Sequence, residues 1–133
     1  MQMNTILLSI NPEHVERIIN GTKRYEFRRV RCKRKIDKIW IYATSPIKMI
    51  VGEADVLAVI EDSKEQVWKV TSKYSGISED FFNEYYFDKK QAVAYKLGKV
   101  NTFTNPVSLK SVGVNVAPQS FVYLADKYLL NNG

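Results

Sequence analysis

The chain has 133 residues, 45% of them hydrophobic and 12% aromatic. A chain of this length makes one compact unit and buries roughly two thirds of its unfolded surface, which excludes disorder and collagen-like repeats. A lone cysteine, Cys32, excludes an internal disulfide scaffold. No stretch approaches the about 18 apolar residues of a membrane span or the layout of a signal peptide, so no membrane partner is expected and the cytoplasm is the expected compartment.

The first predicted elements are a buried strand at Ile6, Leu7, Leu8 and Ile10 and a helix opened by Asn11-Pro12-Glu13, which supplies an N-cap, a proline at the first helical position and an early acid. Val15, Ile18 and Ile19 share one face of that helix, and Gly21 stops it. Alternation from Arg24 to Arg29 predicts a strand with Tyr25 and Phe27 on one face and Arg24, Glu26 and Arg28 on the other. Val30 to Lys35 read as an exposed basic loop. Ile39 to Ala43, apolar on both sides, predict a central strand ended by Thr44-Ser45-Pro46.

A long strand is expected from Lys48 to Ile60, with Ile50, Gly52, Ala54, Val56, Ala58 and Ile60 on one face and Gly52 permitting curvature or a close backbone approach. Ser63 with Gln66 forms a capping-box signature for a helix whose apolar side holds Val67, Trp68, Val70 and Tyr74, with Gly76 as its stop. Ser78-Glu79-Asp80 opens a shorter helix carrying Phe81, Phe82, Tyr85 and Tyr86, one of whose tyrosines must face away from the buried side. Trp40, Trp68, Phe81 and Phe82 are assigned to the core. Val93, Tyr95 and Leu97 alternate as a strand, a polar connection runs through Asn105-Pro106, and Phe121 to Leu124 form the last strand, beyond which the residues after Asp126 are expected to fray. Strands outnumber helices and are not regularly separated by crossovers. The expected class is therefore α+β, a small mixed β-barrel with helices covering its openings, and residues 1–133 read as a single domain.

The formal net charge is +6, unevenly spread. Between Arg17 and Lys38 ten basic side chains meet two acidic ones, while the rest of the chain holds ten against twelve. Such a field concentrates polyanions and offers phosphate contacts that weaken with salt. A solvated loop, or a loop meeting an acidic protein, accounts for the same run.

One histidine and one cysteine exclude the usual metal-ligand spacings, so no metal and no cofactor is expected. The P-loop, G-x-G-x-x-G and G-x-S-x-G patterns are also missing. His14 reads as a surface residue. Cys32 lies among cations that lower a thiol pKa, which would make it reactive without making it catalytic.

What stands out is Gly21-Thr22-Lys23-Arg24-Tyr25-Glu26-Phe27-Arg28, of the form G-x-K-x-x-E-x-R, where a helix gives way to a strand. Gly21 is the structural hinge that permits a sharp turn, Lys23 sits at its mouth, and Glu26 and Arg28 project together. Two cations flanking a carboxylate can bind a phosphate or the polar edge of a base, and a strand-surface ion pair accounts equally for the pattern.

This element resembles the hallmark of the ASCH family of PUA-like proteins, and the resemblance extends over Ile6 to Pro12, Ile41 to Pro46, Val51-Gly52-Glu53 and Pro118 to Phe121. It looks like the short prokaryotic and phage-type members described as predicted transcriptional regulators. The resemblance implies a PUA-like barrel with a cleft beside the hallmark, binding RNA or a nucleotide-like ligand through Lys23, Glu26 and Arg28. Tyr42, Ser45, Gln119 and Ser120 are further candidate ligand contacts, as stacking platform and hydrogen-bonding rim. Arg29, Arg31, Lys33, Arg34 and Lys35 are the expected nucleic-acid backbone contacts. The alternative is a hydrolase acting on RNA or a modified nucleoside, with Lys23 and Glu26 catalytic. Relatives that resemble acylcytidine amidohydrolases carry a threonine where this chain has Glu26 and a distant acid near the position of Ser75.

Overall fold

The computed structural model describes residues 3–132, with side chains through residue 129. Strand β1 (Thr5–Ile10) leads into helix α1 (Pro12–Ile19) and then β2 (Tyr25–Arg28), β3 (Lys38–Ala43) and β4 (Met49–Ser63). Helices α2 (Lys64–Thr71) and α3 (Glu79–Tyr85) precede β5 (Gln91–Val107), β6 (Phe121–Leu124) and α4 (Asp126–Asn132). The strands form one mixed sheet in the order β2-β5-β4-β3-β1-β6 that curls into a half-barrel. Only the β1–β3 pair is parallel among the pairings.

Strand β3 is central because its residues are apolar on both faces. Ile39, Ile41 and Ala43 enter a first core cluster with Ile6, Leu8, Val15 and Ile18, whereas Trp40 and Tyr42 enter a second with Leu7, Ile50 and Val107. A third cluster under α2 and α3 joins Val67, Phe82 and Tyr86 to Phe27, Ala92 and Ala94. The cap signatures are realised: Ser63 Oγ accepts from Gln66 N–H at 3.2 Å and Ser78 Oγ from Phe81 N–H at 3.1 Å. Asn11 precedes α1 without a side-chain cap bond, its Oδ1 accepting instead from the Thr44 hydroxyl at 3.3 Å.

Several expectations need correction. The long fourth strand does not keep one apolar face, because register shifts break its pairing with β5: Ile50 joins the second cluster, Ala54 and Val56 the first, Ile60 the third, and Ala58 is exposed. Asn105-Pro106 lies within β5, tolerated where the register slips between Thr102 and Val107. Val70 is 56% exposed on the outer side of α2, and Phe81 is 48% exposed while Phe82 is core. The segment after Asp126 forms α4. Cys32 is buried in the first cluster, and that burial pushes its thiol pKa up, outweighing the nearby Arg28.

Among the described residues no helix is long and apolar enough to cross a membrane, and no three His, Cys, Asp or Glu side chains gather as a metal site. Gly52 is where β4 lets β5 come close: a Cβ there would stand 2.7 Å from the Asn101 carbonyl oxygen. Gly52→Ala should therefore destabilise the chain by about 1–3 kcal/mol through displaced backbone, measured as a lower urea midpoint. An unchanged midpoint would show that the two strands yield freely there.

Candidate functional site

The turn after α1 is fixed by its backbone. Gly21 has φ +84°, and a Cβ there would meet nothing within 4 Å, so conformation rather than space requires glycine. Lys23 N–H donates to the Arg17 carbonyl at 3.0 Å, Arg24 N–H to the Tyr74 carbonyl at 2.8 Å, and Leu97 N–H to the Arg24 carbonyl at 2.9 Å. The backbone of the turn is thus clamped between α1, the turn at Tyr74 and β5, which sets the direction in which Lys23 leaves it.

Lys23 is consequently buried, 3% exposed, with Nζ donating to the Ser75 carbonyl at 2.8 Å and lying 4.9 Å from the centre of the Phe27 ring. Burial pulls its pKa down, Glu26 opposes that, and Arg17 and Arg28 add to it. Gly76 is shaped around the lysine stem: with φ +71°, a Cβ there would stand 2.5 Å from Lys23 Cβ and 2.7 Å from Cγ.

On β2, Glu26 and Arg28 share a face, and Arg28 Nη2 meets Glu26 Oε2 at 3.2 Å while also donating to the Ser9 carbonyl at 3.1 Å. The position of Arg28 is set from behind, since the Tyr86 hydroxyl donates to its carbonyl at 2.8 Å and accepts from Val93 N–H at 3.3 Å. Lys23, Glu26 and Arg28 border one cavity of about 170 Å³, together with Ser9, Asn11 and His14, under the apolar surfaces of Phe27, Ile77, Phe81 and Tyr85. Arg28 Nε and His14 Nδ1 are the two buried side-chain nitrogens without a hydrogen-bond partner among the described residues. The His14 ring sits edge-on to Phe81, centroids 5.8 Å apart. Burial, then Lys23 and Arg17, lower its pKa against the opposing pull of Glu26 and Glu13, so the imidazole is neutral at pH 7. Burial likewise raises the Tyr85 phenol. Chemically, the cavity offers a desolvated amine, a carboxylate tied to a guanidinium and a neutral imidazole, with aromatic walls.

Of the residues picked out from the sequence, the structure brings Lys23, Glu26 and Arg28 together and leaves the others outside this lining. Tyr42 packs in the second core cluster, because β3 alternation sends Trp40 and Tyr42 away from the side occupied by Ile41. Ser45 is exposed just beyond Thr44, whose hydroxyl reaches Asn11. Gln119 and Ser120 are exposed just beyond Pro118, whose carbonyl accepts from the Ser9 hydroxyl at 2.8 Å.

The basic segment does not form one face. Arg29 is bonded to the Asp88 carboxylate and the Tyr85 carbonyl, Arg31 meets Glu61 at 3.3 Å, and Arg34 stacks 4.4 Å from the centre of the Tyr123 ring. Lys33 and Lys35 are exposed and make no ion pair among the described residues. The residues missed are Ser9, His14, Phe81 and Tyr85. Ser9 is the polar residue inside the apolar run of β1, and His14 shares with Arg17 the i, i+3 face of α1. Phe81 and Tyr85 form an i, i+4 pair opposite Phe82 and Tyr86.

A mixed half-barrel whose helix-to-strand turn carries a buried G-x-K-x-x-E-x-R cluster is a PUA-like fold of the ASCH type. Residues 8–103 match the ASCH domain family model, and the chain belongs to that family. The crystal structure of ASCH from Zymomonas mobilis superposes with a TM-score of 0.87 at 25% identity, covering 95% of this chain and 91% of that one. The chain is also 29% identical over 123 residues to an ASCH domain-containing ribonuclease of Zymomonas mobilis, covering 89% of this chain and 82% of that protein. It is 31% identical over 125 residues to ATP synthase subunit alpha of Ureaplasma parvum serovar 3, of whose length it spans 16%.

Two outcomes test the site geometry. Gly76→Ala should cost about 1–3 kcal/mol in urea unfolding, since the added methyl overlaps the lysine stem and the positive φ is strained. His14 has a folded pKa below its ordinary 6.5, so below that pH the unfolded chain takes up the proton more readily and stability falls. Melting temperatures between about pH 7.5 and 5.5, roughly the titration range of an imidazole, should fall less steeply for His14→Gln than for the unaltered chain. Parallel curves would place the imidazole in water.

Proposed function

We propose that the chain binds single-stranded RNA and seats one nucleotide in the Lys23, Glu26 and Arg28 cavity. The observation that carries this reading is that His14 and Arg28, which hold the two partnerless buried nitrogens Nδ1 and Nε, both border the same hollow. A buried polar atom left unsatisfied costs about 1–3 kcal/mol, so a fold that keeps two at one place keeps them for a polar guest. Lys23 and Arg28 would donate to phosphate or to base acceptors, and Glu26, whose Oε2 is held by Arg28, would accept from the base. Phe81 and Tyr85 would supply the faces on which bases stack. Ser45, Gln119 and Ser120 belong to the outer rim in this reading, and Arg31, Lys33 and Lys35 follow the backbone outside.

A second reading, RNA hydrolysis at the same cavity, is favoured by the similarity to the Zymomonas ribonuclease and by the pairing of a desolvated amine with a neutral imidazole. The amidohydrolase version has less behind it. Among the described residues Glu26 is the one carboxylate bordering the cavity, and the Ser75 hydroxyl is engaged with the Ser72 and Ile77 backbones while its carbonyl receives Lys23.

Fluorescence anisotropy with short single-stranded RNA should show log K falling with log salt by about 0.7 per phosphate contact. Lys23→Met should weaken binding at least about tenfold, equivalent to 1.4 kcal/mol, while leaving the melting temperature unchanged or higher, since a desolvated ammonium gives way to an apolar stem of similar length. Salt-independent binding, or a large loss of stability in that variant, would reduce Lys23 to a structural prop. End-labelled RNA in the same samples separates the two readings: turnover abolished by Lys23→Met makes the chain a hydrolase, and intact RNA with retained binding makes it a binding module.

A further inference from the structure

The cavity does not stand alone, and what flanks it bears on how a strand would enter. On one side lies a concavity of about 600 Å³ that shares His14, Ile77 and Phe81 with the cavity and carries Arg17 and Lys73 against Glu13. Arg17 is anchored there by a hydrogen bond from Nη1 to the Gly76 carbonyl at 3.1 Å. A second concavity, of about 630 Å³, carries Arg29, Arg31, Lys89 and Lys90 against Glu61. The wall between it and the cavity is the Arg28-Arg29 step together with Tyr85, whose carbonyl accepts from Arg29.

From this arrangement, and resting on the RNA-binding reading above, we infer that the cavity takes an internal nucleotide of an extended single strand, whose chain enters along one cationic groove and leaves along the other. Three observations converge. The cavity shares His14, Ile77 and Phe81 with the Arg17 groove and is linked to the Arg29 groove through the Arg28-Arg29 step and the bond from Arg29 to the Tyr85 carbonyl, so a seated nucleotide is not forced to be terminal. Both grooves are cationic, each with one carboxylate on its lining, as a polyanion crossing the whole face requires and a mononucleotide does not. The aromatic pair Phe81 and Tyr85 stands at opposite groove junctions, one shared with the Arg17 groove and the other bonded to Arg29, so bases before and after the seated one each meet a ring. Base pairing is incompatible with this path, because a base inside a duplex cannot reach the cavity floor. Lys89 and Lys90 lie far along the chain from the basic segment, and only the fold adds them to Arg29 and Arg31.

The decisive comparison uses a closed circular single-stranded RNA and its linear form, each of about 12 nucleotides, a length within the span of single-strand binding sites. The circle should bind within about threefold of the linear strand, a difference near 0.6 kcal/mol. Lys73→Gln alone and Lys89→Gln with Lys90→Gln should each weaken the linear strand several-fold and flatten its salt dependence by about 0.7 per contact removed, while a trinucleotide binds all variants alike. Exclusion of the circle, or sensitivity to only one of the two grooves, overturns the inference and makes the cavity a receptor for strand ends. Equal competition by polyglutamate also overturns it, since the grooves would then answer to charge alone. A trinucleotide that ignores Lys23→Met defeats the underlying cavity reading instead, and with it this one.

Discussion

The site depends on one interaction, the bond from a nearly dehydrated Lys23 ammonium to the Ser75 carbonyl. An amine removed from water is unstable unless it is held, and one carbonyl with a ring face is a modest substitute for a hydration shell. The fold therefore has to over-determine the position of the lysine, and it does so with backbone rather than with charge. The Gly21 turn, the clamp onto Arg17, Tyr74 and Leu97, and the absence of a side chain at Gly76 leave the stem a single channel. Nearby, Arg28 is treated the same way, with its carbonyl fastened by Tyr86 and its guanidinium divided between Glu26 and Ser9.

This explains why the site lies where sheet and helices meet. Strand β2 is at the end of the sheet, and the face that carries Glu26 and Arg28 borders a hollow that residues of α1 and α3 also line. Strand β1 brings Ser9 to the floor and α1 brings His14 to the wall within a few residues of each other. Polar atoms are left unfulfilled here while the surrounding clusters are densely apolar. A local conflict of that kind is characteristic of functional places in proteins whose remaining parts agree with their own sequence.

Much of this was legible before any coordinates. The hallmark residues, the caps at Ser63 and Ser78, the two-sided β3 run and the glycine turn after α1 all carry local signals whose physics is confined to a few neighbours, whereas α2 ends at Thr71, short of the Gly76 stop. The misreadings share a different cause. The faces of β4 were lost because bulges arise from how two long strands fit, which no single strand records. Phe81 was assigned to the core because a double aromatic pair on a short helix satisfies both of its sides, and only tertiary contact says which side is covered. The basic run is plain in the sequence, but its partners Asp88, Glu61 and Tyr123 are all distant along the chain, so the separate placement of its arginines is not. Cys32 looked activated by its neighbours in the chain, while its neighbours in space are Tyr95 and the apolar core.

Helix α3 divides its labour by face. Phe82 and Tyr86 look inward and secure the element, while Phe81 and Tyr85 look outward over the hollow. Tyr85 also packs against the inward cluster and donates to the Phe27 carbonyl at 3.4 Å, so it is Phe81, half-exposed, that can vary with least cost to the scaffold. Replacement of that one side chain thus offers a short evolutionary route by which descendants of this chain could change what they grip while keeping how they fold.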